Sequence, residues 1–336
     1  MTPLAEASGV ASEVQEIMQH TLNGYGAGVL VTAVARERWQ AGADLVCSLY
    51  GYWQISCLLN EGGYWLTKVL DRFTEPGTER ARALVNRGFL RSFQGHIAES
   101  LADCEAGTAM ALALGDDAIS ARGYQHTMLT LVFLGRHDEA AKLTEEARSR
   151  LQAVGDRAGE LMLHAQLGHL HQLCGRPAEC VAVCDAGLAM LGADPREQWI
   201  STYLNIVSGF ALFQMPGRES DCETVLRQAL AGKQELGDVI GMAYAIDVLG
   251  WLSAKTGAPL RAAWQLGAAD VLWDRGGGLR FSGTEIMDQL SKQAGAAARE
   301  AAGADRYDAE FAAGASYVRE QLGAKVVTGS LRLEIP

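Results

Sequence analysis

No apolar run in this sequence approaches the ~20 residues that a membrane-spanning helix needs, and Met1 to Met18 lacks the basic-then-apolar layout of a secretory leader. Basic charge is also in short supply. Forty Asp and Glu against 29 Lys and Arg leave a net charge of −11. That argues against binding to a phosphate backbone, which relies on clustered cations to displace counterions. Seven cysteines are an odd number for paired disulfides; with no leader, they are expected to be reduced thiols in a cytoplasm. Only seven prolines interrupt the 336 residues, and alternating Val/Ile/Thr segments are nearly missing. The exception is the end of the chain, where Lys325-Val326-Val327-Thr328 and Leu331-Arg332-Leu333-Glu334-Ile335 are expected to be extended. The rest is rich in Ala, Leu, Glu and Arg, with apolar residues at three- and four-residue steps (Ala140, Leu143, Ala147, Leu151), which predicts helix throughout.

The 38 glycines fit that helical reading once their positions are compared. Gly95, Gly135, Gly175, Gly217 and Gly257 fall at spacings of 40, 40, 42 and 40. A second series, Gly115-Asp116, Gly155-Asp156, Gly192-Ala193-Asp194 and Gly237-Asp238, lies between them. Glycine just past a helix takes the left-handed conformation without a Cβ penalty, and the aspartate beside it can cap the next helix. Each unit is therefore expected to be helix A, tight turn, helix B, longer turn. Five residues after the turn glycine stand Ser100, Ala140, Cys180, Cys222 and Ala262; twelve after it stand Gly107, Ala147, Gly187, Ala229 and Ala269. Seven before it stand Gly88, Met128, Gly168 and Gly250, with Gly209 one place off. Small residues at these offsets let helices A and B approach closely enough for their ridges to interlock.

These small positions resemble those of the tetratricopeptide repeat, though the period here is longer than its 34 residues. The fold expected is all-α: a right-handed superhelical solenoid of about seven helix-turn-helix units in one domain spanning 1–336. An irregular N-terminal cap covers 1–40, the repeats 41–275, and a C-terminal helical cap and tail 276–336. Upstream of the five units, Asp44–Cys57 and Gly62–Leu70 read as a further pair; downstream, Thr284–Ala302 and Asp305–Leu322 read as a last one. Two stretches are more specific: Gly241–Trp251 followed by Ala262–Leu272, and Gly62–Leu66 leading into Arg80–Leu84. They resemble the C-terminal helical-repeat region of large bacterial, actinomycete-type ATP-dependent transcriptional regulators, over roughly residues 45–320. The resemblance implies a sensor or interaction arm. The regulators' other modules are not legible: there is no G-x-x-x-x-G-K-[ST] loop and no helix-turn-helix with a basic recognition helix.

No nucleophile elbow, H-E-x-x-H helix or Cys/His catalytic signature is present. His164, His169, His171, Cys174, Cys180 and Cys184 crowd together, but Cys180 and Cys184 occupy core columns of the repeat, so the cluster is expected to be structural and no metal or other cofactor is assigned. The concave face is the better candidate. With helix A on the inside, positions thirteen, ten, six and three before the turn glycine give a groove of Arg82, Phe89, Arg122, Gln125, His169, Gln172, Tyr203, Gln214, Tyr244, Asp247 and Trp251. Arg82 and Arg122 could share one anionic ligand, or pair with acids such as Glu79 and Asp116. The function expected is a non-catalytic, cytoplasmic sensor or interaction module for transcriptional regulation. It would bind a peptide, protein segment or small-molecule effector, touch neither nucleic acid nor membrane, and could form a homodimer. The alternative is a stand-alone enzyme or resistance protein of a biosynthetic cluster, with His169, Asp247, Tyr203 and Tyr244 as acid–base groups.

Overall fold

The computed structural model describes residues 39–55, 58–192, 198–276, 280, 285–328 and 331–336. Fifteen helices follow one another among them, with no strand. The first hairpin is α1 (Trp39–Ser48) and α2 (Tyr50–Ile55) against α3 (Leu59–Arg72). Five regular units follow. They are α4 (Thr78–Phe93) with α5 (Ile97–Leu114), α6 (Asp117–Phe133) with α7 (His137–Val154), α8 (Arg157–Leu173) with α9 (Pro177–Leu191), α10 (Gln198–Gln214) with α11 (Glu219–Leu236), and α12 (Val239–Lys255) with α13 (Pro259–Arg275). A last pair, α14 (Glu285–Ala302) and α15 (Ala304–Thr328), completes an all-α helical-repeat solenoid in which neighbours pack on neighbours. The expected cap over residues 1–40 falls almost wholly outside the described residues, as do Cys57, Asp194 and Thr284.

The punctuation works as the sequence predicts. The turn glycines from Gly95 to Gly257 all have positive φ, between 69° and 80°, the region that only glycine enters freely. Asp116, Asp156 and Asp238 accept hydrogen bonds from the main-chain N–H of Ile119, Gly159 and Gly241 at 3.0, 2.9 and 2.8 Å. Each therefore closes the open N-terminus of a helix A. Between helices A and B, Ala140, Cys180, Cys222 and Ala262, and Ala147, Ala229 and Ala269, are fully buried. A Cβ at Gly88 would come within 2.9 Å of the Ser100 carbonyl oxygen, so α4 and α5 touch almost main chain to main chain.

Two expectations at the C-terminal end need correction. Residues 325–328 were expected to be extended, but α15 continues helically through Thr328. Adding a residue to an existing helix gains a hydrogen bond without a new nucleation cost, and a short β-branched run does not outweigh that. Leu331–Pro336 is not a strand either. It crosses the outer side of the last units without regular structure, burying Leu331 and Leu333 in the core shared by α10 to α15.

The superhelix turns tightly enough that distant units meet across its interior. Ile240 of α12 packs with Tyr50, Phe93 and Phe133 on the apolar cluster of the N-terminal helices. The inner face is consequently narrowed where Ile240 approaches the N-terminal helices.

Candidate functional site

The helices A from α4 to α12 contribute side chains to the interior, in α6 and α8 as a regular stripe. Its positions lie two, six, nine and thirteen residues before the turn glycine, the three- and four-residue steps of one helix face. In the second place stand Phe93, Phe133 and Leu173; in the sixth, Phe89 and His169; in the ninth, His126 and Gln166; in the thirteenth, Arg122, Met162 and Tyr244. Tyr203 joins the last column through the inserted residue of its unit.

These side chains enclose two adjoining spaces. The larger, about 820 Å³ with the open solvent at its mouth included, is walled by aromatic rings: Phe93, Phe133, Trp199, Tyr203, Tyr244 and Trp273, with His169, Gln54 and Ile240. The smaller, about 390 Å³, is more polar and meets Arg122, Gln125, His126 and Gln166 alongside Tyr50 and Phe89. Gln54 and Trp199 border both. His169 and Gln166, one turn apart on α8, also face one space each, so the two lie end to end along that helix.

Electrostatics keep this interior uncharged at its centre. His169 Nε2 and the Tyr203 hydroxyl are 3.0 Å apart, and the His169 ring stacks on Tyr244 with centroids 6.1 Å apart. Burial pulls the His169 imidazole down to about 4, and burial together with the Arg122 charge pulls His126 down to about 3. Both rings are therefore neutral at pH 7. Burial also raises the Tyr203 and Tyr244 hydroxyls above the usual tyrosine range, leaving them protonated. The one carboxylate in the larger wall, Asp238, is fully engaged. Its Oδ2 accepts from Lys233 Nζ at 2.7 Å and Trp199 Nε1 at 2.9 Å, while Oδ1 caps α12.

The expected groove residues divide into two groups. Phe89, Arg122, Gln125, His169, Tyr203 and Tyr244 do border the interior. The others do not reach it. Arg82 points back to α1 and pairs with Asp44, and Gln214 is half-buried outside both spaces. Gln172 is buried but borders neither space. Trp251 packs on Phe210 and Phe213 with centroids 5.3 and 5.9 Å away. Asp247 joins the last hairpin instead: it accepts from Trp273 Nε1 and Ser291 Oγ at 3.1 Å each and pairs with Arg280 at 3.0 Å. Burial raises its carboxyl even so. The positions ten and three before the turn glycine face the neighbouring unit, as Gln125 also shows by donating to the Gly159 carbonyl at 3.0 Å.

A shared anion site for the two arginines is not formed. Arg122 donates to Asp156 at 2.8 Å, Arg82 is held by Asp44, and neither uses the Glu79 or Asp116 carboxylates suggested by proximity in sequence. In the histidine–cysteine cluster, Cys180 and Cys184 are fully buried between helices A and B. Among the described residues, no three His, Cys, Asp or Glu side chains are grouped to hold a metal ion.

Two kinds of residue escaped the sequence reading. The stripe two and nine residues before the turn supplies Phe93, Phe133, Leu173, His126 and Gln166, and it was passed over in favour of its neighbour. Lys233 was also missed, although the repeat marks it. Its column, sixteen after the turn glycine, holds Ala111, Leu151, Leu191 and Trp273 in the other units. A cation in an apolar column is a legible signal. Lys233 is fully buried, its Nζ 4.6 Å from the centre of the Trp199 ring, and desolvation lowers its basicity. Neither any protein-family model nor any curated protein matches the chain.

Proposed function

We propose that this protein is a non-catalytic sensor module whose interior receives a small molecule with a flat, largely uncharged body, as the effector-binding arm of a transcriptional regulator. The observation that carries the reading is the aromatic space itself. Its wall is built mainly from rings with a few fixed polar groups, the composition that orients a ligand without paying to desolvate a charge. Contact between Ile240 and the N-terminal cluster narrows the inner face, which favours a compact effector over a long peptide. A ligand touching α4, α6, α8, α10 and α12 together would bias the pitch of the superhelix, because most packing between units is between neighbours.

The test is titration with a neutral naphthalene-type fluorophore and with the metabolite pool of the source cell, read by tryptophan fluorescence, since Trp199 and Trp273 line the space. Phe133→Trp fills the cavity and is expected to weaken binding by at least about tenfold, the equivalent of ~1.4 kcal/mol. Arg82→Ala, outside it, should bind as the parent does. Equal binding by parent and Phe133→Trp would remove the interior from the account.

The enzymatic alternative is supported by one contact, the neutral His169 beside the Tyr203 hydroxyl inside the cavity. The Asp247 that would complete an acid–base set is turned toward Trp273, Ser291 and Arg280. Turnover of a bound ligand that is lost in both His169→Gln and Tyr203→Phe would favour that alternative.

A further inference from the structure

Residues Leu331–Pro336 lie across α11, α13 and α15 as a strap, and the way they are held is that of a recognised peptide. Gln234 of α11 grips the main chain of Leu333 twice, donating from Nε2 to its carbonyl and accepting from its N–H, each at 3.0 Å. Arg227 donates to the carbonyls of Ile335 at 3.1 Å and Pro336 at 3.0 Å. Arg261 and Gln265 of α13 also donate to the Pro336 carbonyl, at 3.1 and 2.8 Å. The Tyr317 hydroxyl accepts from the Glu334 N–H at 2.9 Å. Two apolar teeth complete the fit: Leu331 and Leu333 are 1 % and 5 % exposed. Main-chain hydrogen bonds supply affinity in such a site, while alternate side chains in pockets supply selectivity.

We propose that this surface is a peptide-recognition site for segments of the pattern Leu-x-Leu-x-Ile-Pro, and that a second copy of this chain is its second occupant, through exchange of the straps. Every contact that holds the strap is made by atoms of residues 331–336, so the same segment from another copy satisfies the same partners. The strap is not sealed in: a cleft open to solvent, lined by Leu230, Ala231 and Ile335, runs between it and α11. Closed monomer and exchanged dimer contain the same bonds, so concentration and association entropy set the balance between them. The site lies on the outer helices and stands independently of the interior cavity.

Two full-length variants test it by sedimentation velocity. The strap variant carries Leu331→Asp and Leu333→Asp; the groove variant carries Gln234→Ala and Arg261→Ala, both half-buried beneath the strap. Wild type is expected to be a weak, concentration-dependent dimer, and each variant alone a monomer. Mixed, the intact strap of one variant meets the intact groove of the other, with no competing contact in cis. The heterodimer should therefore form at least about tenfold more tightly than the wild-type dimer, since the intramolecular competitor is gone. If the strap variant does not melt cooperatively, a synthetic Leu-Arg-Leu-Glu-Ile-Pro peptide replaces it and should convert wild-type dimer to monomer. A mixture that stays monomeric, a wild-type dimer untouched by both pairs of substitutions, or a dimer indifferent to the peptide would each overturn the proposal.

Discussion

Two equivalent junctions of the solenoid solve one electrostatic problem in opposite ways. At the start of α8, Asp156 caps the helix and is neutralised by Arg122, which comes from helix A of the preceding unit and reaches across the interior rim. At the start of α12, Asp238 caps the helix in the same way, but the matching place on the preceding helix A holds Tyr203. The cation there is Lys233, supplied from helix B and fully buried, in a column where the earlier unit has Leu151. Where the wall must be aromatic, the positive charge has been moved behind it. Trp199 takes the remaining contact with Asp238, and the lysine's ammonium lies against the ring's outer side. The comparison explains why one end of the interior is polar and the other apolar, although both are built from the same repeat.

The largest expected effect distinguishes the two junctions directly. Lys233→Ala leaves the Asp238 carboxylate buried without its ammonium and should cost about 3–5 kcal/mol in a urea unfolding experiment. Lys233→Met, paired with Asp238→Asn to keep the cap, should cost much less. Arg122→Ala removes a pair whose side chains are each 23 % exposed, so about 1 kcal/mol is expected there. Equal losses in Lys233→Ala and Arg122→Ala would break the distinction between a buried and a rim-supplied cation.

Acid provides the next contrast. His126 and His169 have folded-state pKa values of about 3 and about 4, against 6.5 for the free side chain. The unfolded chain then binds more protons, so the stability these two histidines confer is complete above pH 6.5. It is lost as pH falls toward the folded values, by about 2 kcal/mol each at pH 5. His126→Asn should remove roughly half of this slope, and a thermal-melt series between pH 7 and 5 that is flat in the parent would contradict the burial of both rings. The smallest effect is that of Tyr203→Phe, which deletes the hydroxyl beside His169 and should cost about 0.5–1.5 kcal/mol while leaving the polar end of the interior unaltered. Ligand binding that is lost at the aromatic end but kept in Arg122→Ala would sharpen the division further.

How far the molecule could be read in advance follows the range of the forces involved. The turn glycines, the aspartate caps and the small residues at five, seven and twelve places from each turn are local requirements of a helical hairpin, and each is written in its own unit. The lining of the interior is not local. Adjacent positions on a helix differ in direction by about 100°, so one residue separates the stripe of Phe133 and His126 from that of Val132 and Gln125. The tilt of each unit on the next decides which stripe faces inward. Asp247 illustrates the result: its place beside His169 and Tyr244 in the repeat scheme is genuine, yet Trp273, Ser291 and Arg280 draw it to the other side. Lys233 was legible by comparing columns, since a lysine among Ala111, Leu151, Leu191 and Trp273 is an exception that a buried partner must explain.

The amino-acid sequence by itself determined the all-α class of the described residues, where each hairpin turns, and which residues are small enough to let paired helices nest, because those features depend on contacts within one or two units. Only the tertiary structure decided that the two ends of the coil meet through Ile240, that aromatic rings rather than arginines wall the larger space, and that the strap at 331–336 is held by helices about a hundred residues earlier. Those outcomes arise from curvature summed over many units, and curvature is a property of the stack rather than of any single repeat.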